Sequence, residues 1–430
     1  LTKGSFDAMK ATRLVYVLLD GIGDLPHPSL NDLTPLEAAY TPNLDALARN
    51  GAMGRVISVG KDIAPQSDIA VFNMLGYSFK DGSYVGRGVI ESIGSDIDFR
   101  DGDLAFRGNF ATVDDKLKIV DRRAGRSISS EEAKAVCKTL SDKIRFSDKD
   151  ASVVIEPTVA HRVVIKFRHA KMKLSDRITN TDPAYEKVDG MGIAKNTTGD
   201  VFVQKSVPEE NSEQARTAAT MLNEFTEQVV QLLRDHPVNR ARSAAGKKPM
   251  NCILARDSGN RYPKVDPINK KHGISVGCIV DMPVEIGISK VLGMKMFQAG
   301  DINNYEEKAR VAANSLKSVN AVYVHIKGPD EFGHDGDASG KKKNIEDIDK
   351  RFFGTLMKEL GNGAAIVVSG DHSTPCVKRG HSDDPVPLLV SGSMVKQDGS
   401  ARFTENYGKR GKMGLLMGAD VLPTAIKMIS

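Results

Sequence analysis

The sequence predicts an α/β protein in which a parallel sheet flanked by helices is interrupted by an inserted α+β domain. Three observations predict it. Leu14 to Leu19 is apolar on both faces, the pattern of a parallel strand covered on two sides by helices. From about Val276 strand-like and helix-like runs alternate as in βα units, whereas the texture from about Asp81 is of short alternating runs that read as hairpins. Asp and His residues suited to one site lie near both ends of the chain and none in the middle, which is economical only if the middle is an insertion. At 430 residues the chain also exceeds what one hydrophobic core supports. The expected division is 1–79 with 276–430 as one domain and 80–275 as the other.

The elements follow in order. Leu1 to Ala8 carry no pattern and are set aside as an appended segment ahead of a native start at Met9. After the first strand, Thr41 as N-cap, Pro42 at the first helical position and Gly51 just past the end bracket a short helix. Pro65 to Gly76 is a loop leading into another short helix, with Ser67 at or beside its N-terminus. Such a serine is ordinarily a cap worth about 1 kcal/mol. It also lies in a positive local field beside free N–H groups, which suits an alkoxide nucleophile or a phosphate oxygen. Leu104 to Val113 and Leu117 to Val120 read as antiparallel strands, and a basic knot, Asp121-Arg122-Arg123-Ala124-Gly125-Arg126, follows them. Ser129 with Glu132 forms a capping box for a helix to about Leu140. Val153 to Ile155 and Arg162 to Phe167 are strand-like, and Ala215 to Leu232 is an amphipathic helix. Polar Asn239 to Lys248 reads as a link to a strand over Cys252 to Arg256. Beyond Val276 come a helix over Tyr305 to Leu316, a strand over Ala321 to Ile326, and a helix over Asn344 to Leu360 preceded by a solvated Lys341-Lys342-Lys343 run. Strands over Ala364 to Val368 and Pro387 to Val390 and a helix after Gly414 complete the chain.

Composition excludes several classes of function. A net charge of +5, with basic and acidic residues interspersed, argues against a nucleic-acid surface, and the absence of Trp removes stacking platforms for single strands. No stretch is long and apolar enough to span a bilayer, and no signal peptide is evident, so neither nucleic acid nor membrane is expected as a partner. Four cysteines, Cys137, Cys252, Cys278 and Cys376, are scattered without a C-x-x-C pair, which favours a reducing cytoplasm over a disulfide framework.

The chemistry concentrates at strand ends. The run Ala364 to Val368 leads into Gly370-Asp371-His372, with His381 nine residues further on. Ala321 to Ile326 leads into Lys327-Gly328-Pro329-Asp330 and His334, and the first strand ends in Asp20-Gly21. Carboxylate and imidazole together suit Zn²⁺, Mn²⁺ or Fe²⁺ rather than Ca²⁺, and ligands of open α/β sheets gather beyond the carboxyl ends of strands. Asp20, Ser67, Asp330, His334, Asp371, His372 and His381 supply enough donors for two divalent ions beside a serine, the makings of a phosphoryl-transfer centre.

These motifs resemble the alkaline phosphatase superfamily. Within it, Leu18-Leu19-Asp20-Gly21, Thr41-Pro42-Asn43-Leu44-Asp45, Ser67-Asp68-Ile69-Ala70, Gly86-Arg87-Gly88, the Asp121 to Arg126 knot, His325-Ile326-Lys327-Gly328-Pro329-Asp330 and Gly370-Asp371-His372 resemble the archaeal-type cofactor-independent phosphoglycerate mutases, from about Arg13 to the C-terminus. The resemblance implies an alkaline-phosphatase-like sheet domain and interconversion of 3-phosphoglycerate and 2-phosphoglycerate through a phosphoserine, in glycolysis or gluconeogenesis, without an organic cofactor. It implies one metal on Asp330, His334 and His381 and another on Asp20, Asp371, His372 and Ser67. Mn²⁺ is the first choice, with Mg²⁺, Co²⁺ and Zn²⁺ as alternatives. Lys327 would meet a phosphate oxygen, Arg122, Arg123 and Arg126 would clamp the substrate anions, and Asp121 would be an acid/base. His161, Arg162, Asp182 and Arg256 would finish a pocket in the cleft between lobes, whose opening and closing would accompany turnover. Two departures from the family pattern are Val89, where Pro is usual, and Asp257 after Arg256, where Gly is usual. A metal-dependent phosphomonoesterase, a homoserine-kinase-like phosphotransferase and a basic binding protein with structural Asp-His sites are the competing readings. Oligomeric state is left open.

Overall fold

The computed structural model describes residues 13–79, 83–188, 191–195, 199–361 and 363–430, so the expected start at Met9 and the expected boundary at residue 80 lie outside the described residues. The chain forms two compact units: 1–78 with 265–281 and 291–430, and 79–264 with 282–290. The second unit thus ends eleven residues before the boundary expected at 275 and takes in the helix Pro283–Val291 down to Lys290. That helix packs its Gly287 against the Ile90 carbonyl, an approach too close for any side chain, which is why a segment following a strand of the first unit belongs to the second.

The first unit is built on an eight-stranded sheet. Leu14–Leu19 lies at its centre, between the parallel strands Ala321–Ile326 and Ala365–Gly370. Every residue of these three strands is buried, as their predominantly apolar sequence requires of strands covered on both faces. Val276–Ile279 and Lys295–Met296 continue the sheet in parallel on one side. On the other side Val386–Ser391 runs antiparallel to its neighbours, so the expected parallel sheet is parallel-rich, with this strand as the exception. Nothing in an apolar run marks strand direction; only the length of connecting chain and the tertiary pairing do. Gly51–Ile57 and Leu415–Met417 complete the sheet and were not recognised in the sequence.

Two tertiary contacts revise the local reading of this unit. The helix Pro42–Arg49 begins after Thr41 as expected, but the Thr41 hydroxyl donates to Asp45 and does not cap the helix. The cap comes from Asp349, whose carboxylate accepts from the Asn43 and Leu44 N–H groups at 3.2 and 2.7 Å. The helical segment expected from Asn344 begins earlier, at Ala338, and runs through a π-helical turn at Asp349–Phe353. Lys341, read as solvated, is fully buried: its ammonium donates to Asp24 Oδ2 at 2.7 Å, Thr374 O at 2.9 Å and Gly23 O at 3.3 Å. All three ammonium donors are thereby satisfied, which a buried charge requires.

The second unit carries a five-stranded antiparallel sheet. Leu104–Val113 is flanked by Arg162–His169 and Cys252–Gly259, with Ile119–Asp121 and Ala151–Pro157 completing it. The helix Ser130–Lys143, with the expected Ser129/Glu132 capping box, and the helix Glu213–Arg234 share a core with it that includes Phe106, Phe110, Phe167, Val136 and Phe225. The stretch read as a polar link contains the helix Pro237–Ala244, started by Pro237 after a His236 side-chain cap. Its Arg242 is buried and satisfied by Lys248 O, Ala124 O, Ser127 and Glu132. A charged residue with so many partners is invisible to hydrophobic periodicity.

Candidate metal centre and arginine cluster

Strand register assembles the first unit's site. Leu19 pairs with Ile326 on one side and Gly370 on the other, so Asp20, Lys327 and Asp371-His372 emerge together at the carboxyl edge of three adjacent strands. Gly21 turns the chain there with φ 62°, and a Cβ on it would stand 2.9 Å from the Asp330 Cα, so only glycine lets the two loops approach. Asp330 and His334 lie one turn apart on the helix Pro329–Asp335, with Asp330 Oδ2 and His334 Nε2 3.6 Å apart. His381 Nε2 is 3.4 Å from Asp330 Oδ1. His372 Nε2 is 3.5 Å from Asp20 Oδ1 and 3.3 Å from Asp371 Oδ2. Ser67 is the first residue of the helix Ser67–Met74, and its Oγ is 3.2 Å from His372 Nε2.

The imidazoles are oriented by what their other nitrogen does. His381 Nδ1 donates to Pro65 O at 2.7 Å and His334 Nδ1 to Arg379 O at 3.3 Å, since a carbonyl can only accept. Thr374 Oγ1 donates to Asp330 Oδ1 at 2.6 Å, so it accepts from His372 Nδ1 at 3.1 Å. Each ring therefore turns Nε2, the nitrogen a metal ligand would use, toward the carboxylates. Among the described residues, Asp20 Oδ1 and Asp371 Oδ2 are buried and accept no hydrogen bond. Orphaned carboxylate oxygens beside imidazole nitrogens fit a divalent cation. Asp330, His334 and His381 form one group of donors within 4.8 Å of one another; Asp20, Asp330 and His372 form a second, and Asp20, His325 and Asp371 a third.

The electrostatics suit the same occupant. Burial, and then the neighbouring Asp20 charge, push Asp371 up to about 7. Burial opposes ionisation of Asp20 as well, but Lys327 and His325 outweigh it and hold Asp20 well below the usual range. Burial would lower His381, but the Asp330 carboxylate holds it up at about 9. Burial and the His381 charge keep His372 well below the ordinary imidazole value. Lys327, expected to meet a phosphate oxygen, lies with its ammonium 2.9 Å from Asp20 Oδ2.

The expected anion-binding residues gather in the second unit. Arg122 donates to both oxygens of the fully buried Asp182, at 2.7 and 2.6 Å, and Arg256 donates to Asp182 Oδ2 at 2.8 Å. Both guanidinium groups lie over the Tyr185 ring, 5.2 and 4.2 Å from its centre. Asp182 is thus an orienting partner for two arginines. His161 is pushed down to about 3 by burial and then by Arg162, Arg123, Arg107 and Arg256, so it is neutral at pH 7 among cations. Arg126 stands near enough to Arg123 to lower it further after burial. Asp121 accepts from Arg123 N at 2.8 Å and from the Lys248 ammonium at 2.7 Å. Asp257 adopts φ 57°, a conformation that favours glycine and that Asp tolerates, with Oδ2 3.5 Å from Arg256 Nε. Val89 is fully buried in the helix Arg87–Gly94, a core position.

His325, Arg107 and Tyr185 were not singled out from the sequence. Arg107 and Tyr185 sit in runs that read simply as strand or loop. His325 carried a signal, a histidine at an inward position of an otherwise apolar strand, Ala321–Ile326.

Fold and site together define a class: an α/β enzyme that gathers carboxylates, imidazoles and a helix-terminal serine at the carboxyl edge of its sheet. Comparison with known proteins narrows the class. The family profile for 2,3-bisphosphoglycerate-independent phosphoglycerate mutase matches residues 48–239. A mutase of that name from Aeropyrum pernix is 39% identical over 97% of this chain and 100% of its own. Among solved structures, the cofactor-independent phosphoglycerate mutase from Thermoplasma acidophilum is 29% identical, with a TM-score of 0.63 over 97% of this chain and 100% of that one. A protein from Pyrococcus horikoshii is 27% identical, with a TM-score of 0.77 over 97% of each chain. The chain belongs to the 2,3-bisphosphoglycerate-independent phosphoglycerate mutases, and is an isomerase.

Proposed function

We propose that the chain interconverts 3-phosphoglycerate and 2-phosphoglycerate through a phosphoserine at Ser67, using two divalent cations, with Mn²⁺ the first choice. The observation that carries this reading is Ser67 Oγ at a helix N-terminus, 3.2 Å from His372 Nε2 and beside the orphaned oxygens of Asp20 and Asp371. Asp330, His334 and His381 would hold one cation, and Asp20, Asp371, His372 and Ser67 the other. Bound there, divalent metal lowers the pKa of the serine hydroxyl and offsets charge on the phosphoryl oxygens. Ser67 Oγ forms a bond to phosphorus, the ester bond to glycerate breaks, and the leaving oxygen takes up a proton. The second half reverses these steps on the neighbouring glycerate hydroxyl, returning Ser67 to its free form.

The second unit would hold the glycerate between the halves. Arg122, Arg123, Arg126, Arg162 and Arg256 supply guanidinium forks suited to carboxylate and phosphate, and neutral His161 supplies a hydrogen-bonding group that adds no charge. Asp121, which accepts from the Lys248 ammonium, would exchange protons with the hydroxyls. Four free, buried cysteines support a reducing cytoplasmic location, and no helix among the described residues is long and apolar enough to cross a membrane.

Purified protein assayed with 3-phosphoglycerate tests the reading. The expected product is 2-phosphoglycerate, formed with Mn²⁺ and abolished by EDTA. Free phosphate as the main product would mean a phosphomonoesterase, and turnover unaffected by EDTA would overturn the metal assignment.

A further inference from the structure

One face of the second unit's sheet is apolar and the other carries arginines. Along the strand Leu104–Val113, Phe106 and Phe110 join Val163, Ile165 and Ile253 in the core that the helices cover. Alternation sends Arg107 and Asn109 to the opposite face. There Arg107 pairs directly across with Arg256, and Asn109 with Arg162. Like charges set opposite one another on adjacent strands repel, yet Arg107 and Arg256 are both buried. Arg256 is offset by Asp182 Oδ2 at 2.8 Å. Arg107 has no such match. Its Nε is buried and donates no hydrogen bond to any described residue, and Glu91 Oε1 stands 3.5 Å from it, beyond the usual hydrogen-bond range. That same oxygen accepts from Arg87 Nε at 2.7 Å. Burial, and then the Arg87 charge, push Arg107 below the ordinary arginine range, as happens where negative charge is in short supply. Gly88 brings the helix Arg87–Gly94 onto this strand, since a Cβ there would stand 2.7 Å from the Phe106 Cα.

We infer that Arg107 is a further substrate-binding residue, which takes the glycerate carboxylate in its guanidinium fork with Arg256 opposite, and so makes the second unit selective for carboxylate-bearing ligands. The inference rests on the proposed mutase reaction and deepens it. The carboxylate is anionic in 3-phosphoglycerate, in 2-phosphoglycerate and in the glycerate left while Ser67 carries the phosphoryl group. It is therefore the one anion that a site can hold through both half-reactions. A guanidinium fork matches its two oxygens. A carboxylate entering here gives the Arg107 Nε an acceptor and lies between two cations that otherwise repel.

The test is calorimetric titration of the full chain, supplied with Mn²⁺ and carrying Ser67→Ala so that nothing turns over. The ligands are 3-phosphoglycerate, D-glycerate and sn-glycerol 3-phosphate, the last of which keeps the phosphate and has no carboxylate. Adding Arg107→Met should weaken 3-phosphoglycerate and D-glycerate at least about tenfold and sn-glycerol 3-phosphate less than about threefold. Arg107→Lys, which keeps the charge and loses the fork, should weaken the two carboxylates at least about threefold, and it carries the test if Arg107→Met does not fold. Equal weakening of all three ligands, or unchanged carboxylate affinity in both variants, would overturn the inference while leaving the proposed reaction intact. A chain that binds neither 3-phosphoglycerate nor D-glycerate with Arg107 in place would overturn the proposed reaction itself.

Discussion

At the level of single residues, Ser67 and Glu405 show how position converts ordinary side chains into special ones. The Ser67 hydroxyl is one weak donor among strong carboxylate and imidazole donors, so Ser67→Ala should abolish turnover while leaving metal stoichiometry unchanged; turnover by an initial-rate assay and metal content by elemental analysis check the two halves separately. Glu405 accepts from the Thr34 hydroxyl at 2.8 Å, but its Oε1 is buried with no hydrogen-bond donor among the described residues. Burial, and the neighbouring Glu37 charge, push Glu405 from 4.5 up to about 7. Between those values the folded chain keeps a proton that the unfolded chain has lost, so stability is full below about 4.5 and falls as pH rises toward 7. Replacing the acid with a neutral amide removes that loss. Glu405→Gln should therefore raise the melting temperature at pH 8, by the equivalent of up to ~3 kcal/mol, and leave it nearly unchanged at pH 4.5. Melting curves at the two pH values decide it; an equal shift at both would mean that packing, not ionisation, is responsible.

At the level of elements, the helix Ala338–Ile348 makes contacts that its local sequence conceals. Lys341 links the loop after the first strand, through Gly23 and Asp24, to the loop after Ala365–Gly370, through Thr374, whose hydroxyl in turn holds Asp330 and His372. Lys341→Met leaves Asp24 charged and buried, so it should cost roughly 3–5 kcal/mol, read from urea denaturation, and adding Asp24→Asn should recover part of the loss. No recovery would mean that shape rather than charge is at stake. The basic turn is expected to retain glycerate between the two half-reactions. Arg123→Ala or Arg126→Ala removes a charge-assisted contact worth roughly 1.5–3 kcal/mol. Mutase activity should fall at least about tenfold, with relatively more inorganic phosphate released and phosphoserine still detectable at position 67 after an acid quench. Equal loss of both activities without a phosphoenzyme would show that the turn serves the first binding step instead.

At the level of the whole molecule, the donors proposed for metal all belong to the first unit, whereas the second has its own core. Metal bound only to the folded state stabilises it by about 4 kcal/mol when its concentration is a thousandfold above Kd. Chelation should therefore speed amide hydrogen exchange in segments 20–25, 327–335 and 371–384 and leave the strands Leu104–Val113 and Arg162–His169 as protected as before. Loss of protection in both units alike would mean that the ions support more than the sheet edge. Because His381 carries a proton up to about pH 9 in the metal-free site, binding there must displace it, and metal affinity should weaken as pH falls.

Much of the site was legible in the sequence because it is local to strand ends. An apolar run followed by Asp or Asp-His states both the strand and what it delivers, and parallel pairing of Leu14–Leu19 with Ala321–Ile326 and Ala365–Gly370 then brings those ends together. The capping box at Ser129 and the helix start at Ser67 were legible for the same reason, since their partners lie within one turn. What the sequence could not determine depends on residues far apart in the chain. Asp349 caps a helix about 300 residues away, Lys341 and Arg242 are charges made buriable by distant partners, and Val386–Ser391 takes its direction from its neighbours. The surroundings of His325 belong to this second group, since only folding places the carboxylates of residues 20 and 371 at 3.9 and 3.8 Å from its Nε2. Local pattern determines which backbone forms and what its ends carry; the pairing of buried charges is decided only where the folded chain excludes water and each polar group must find a partner.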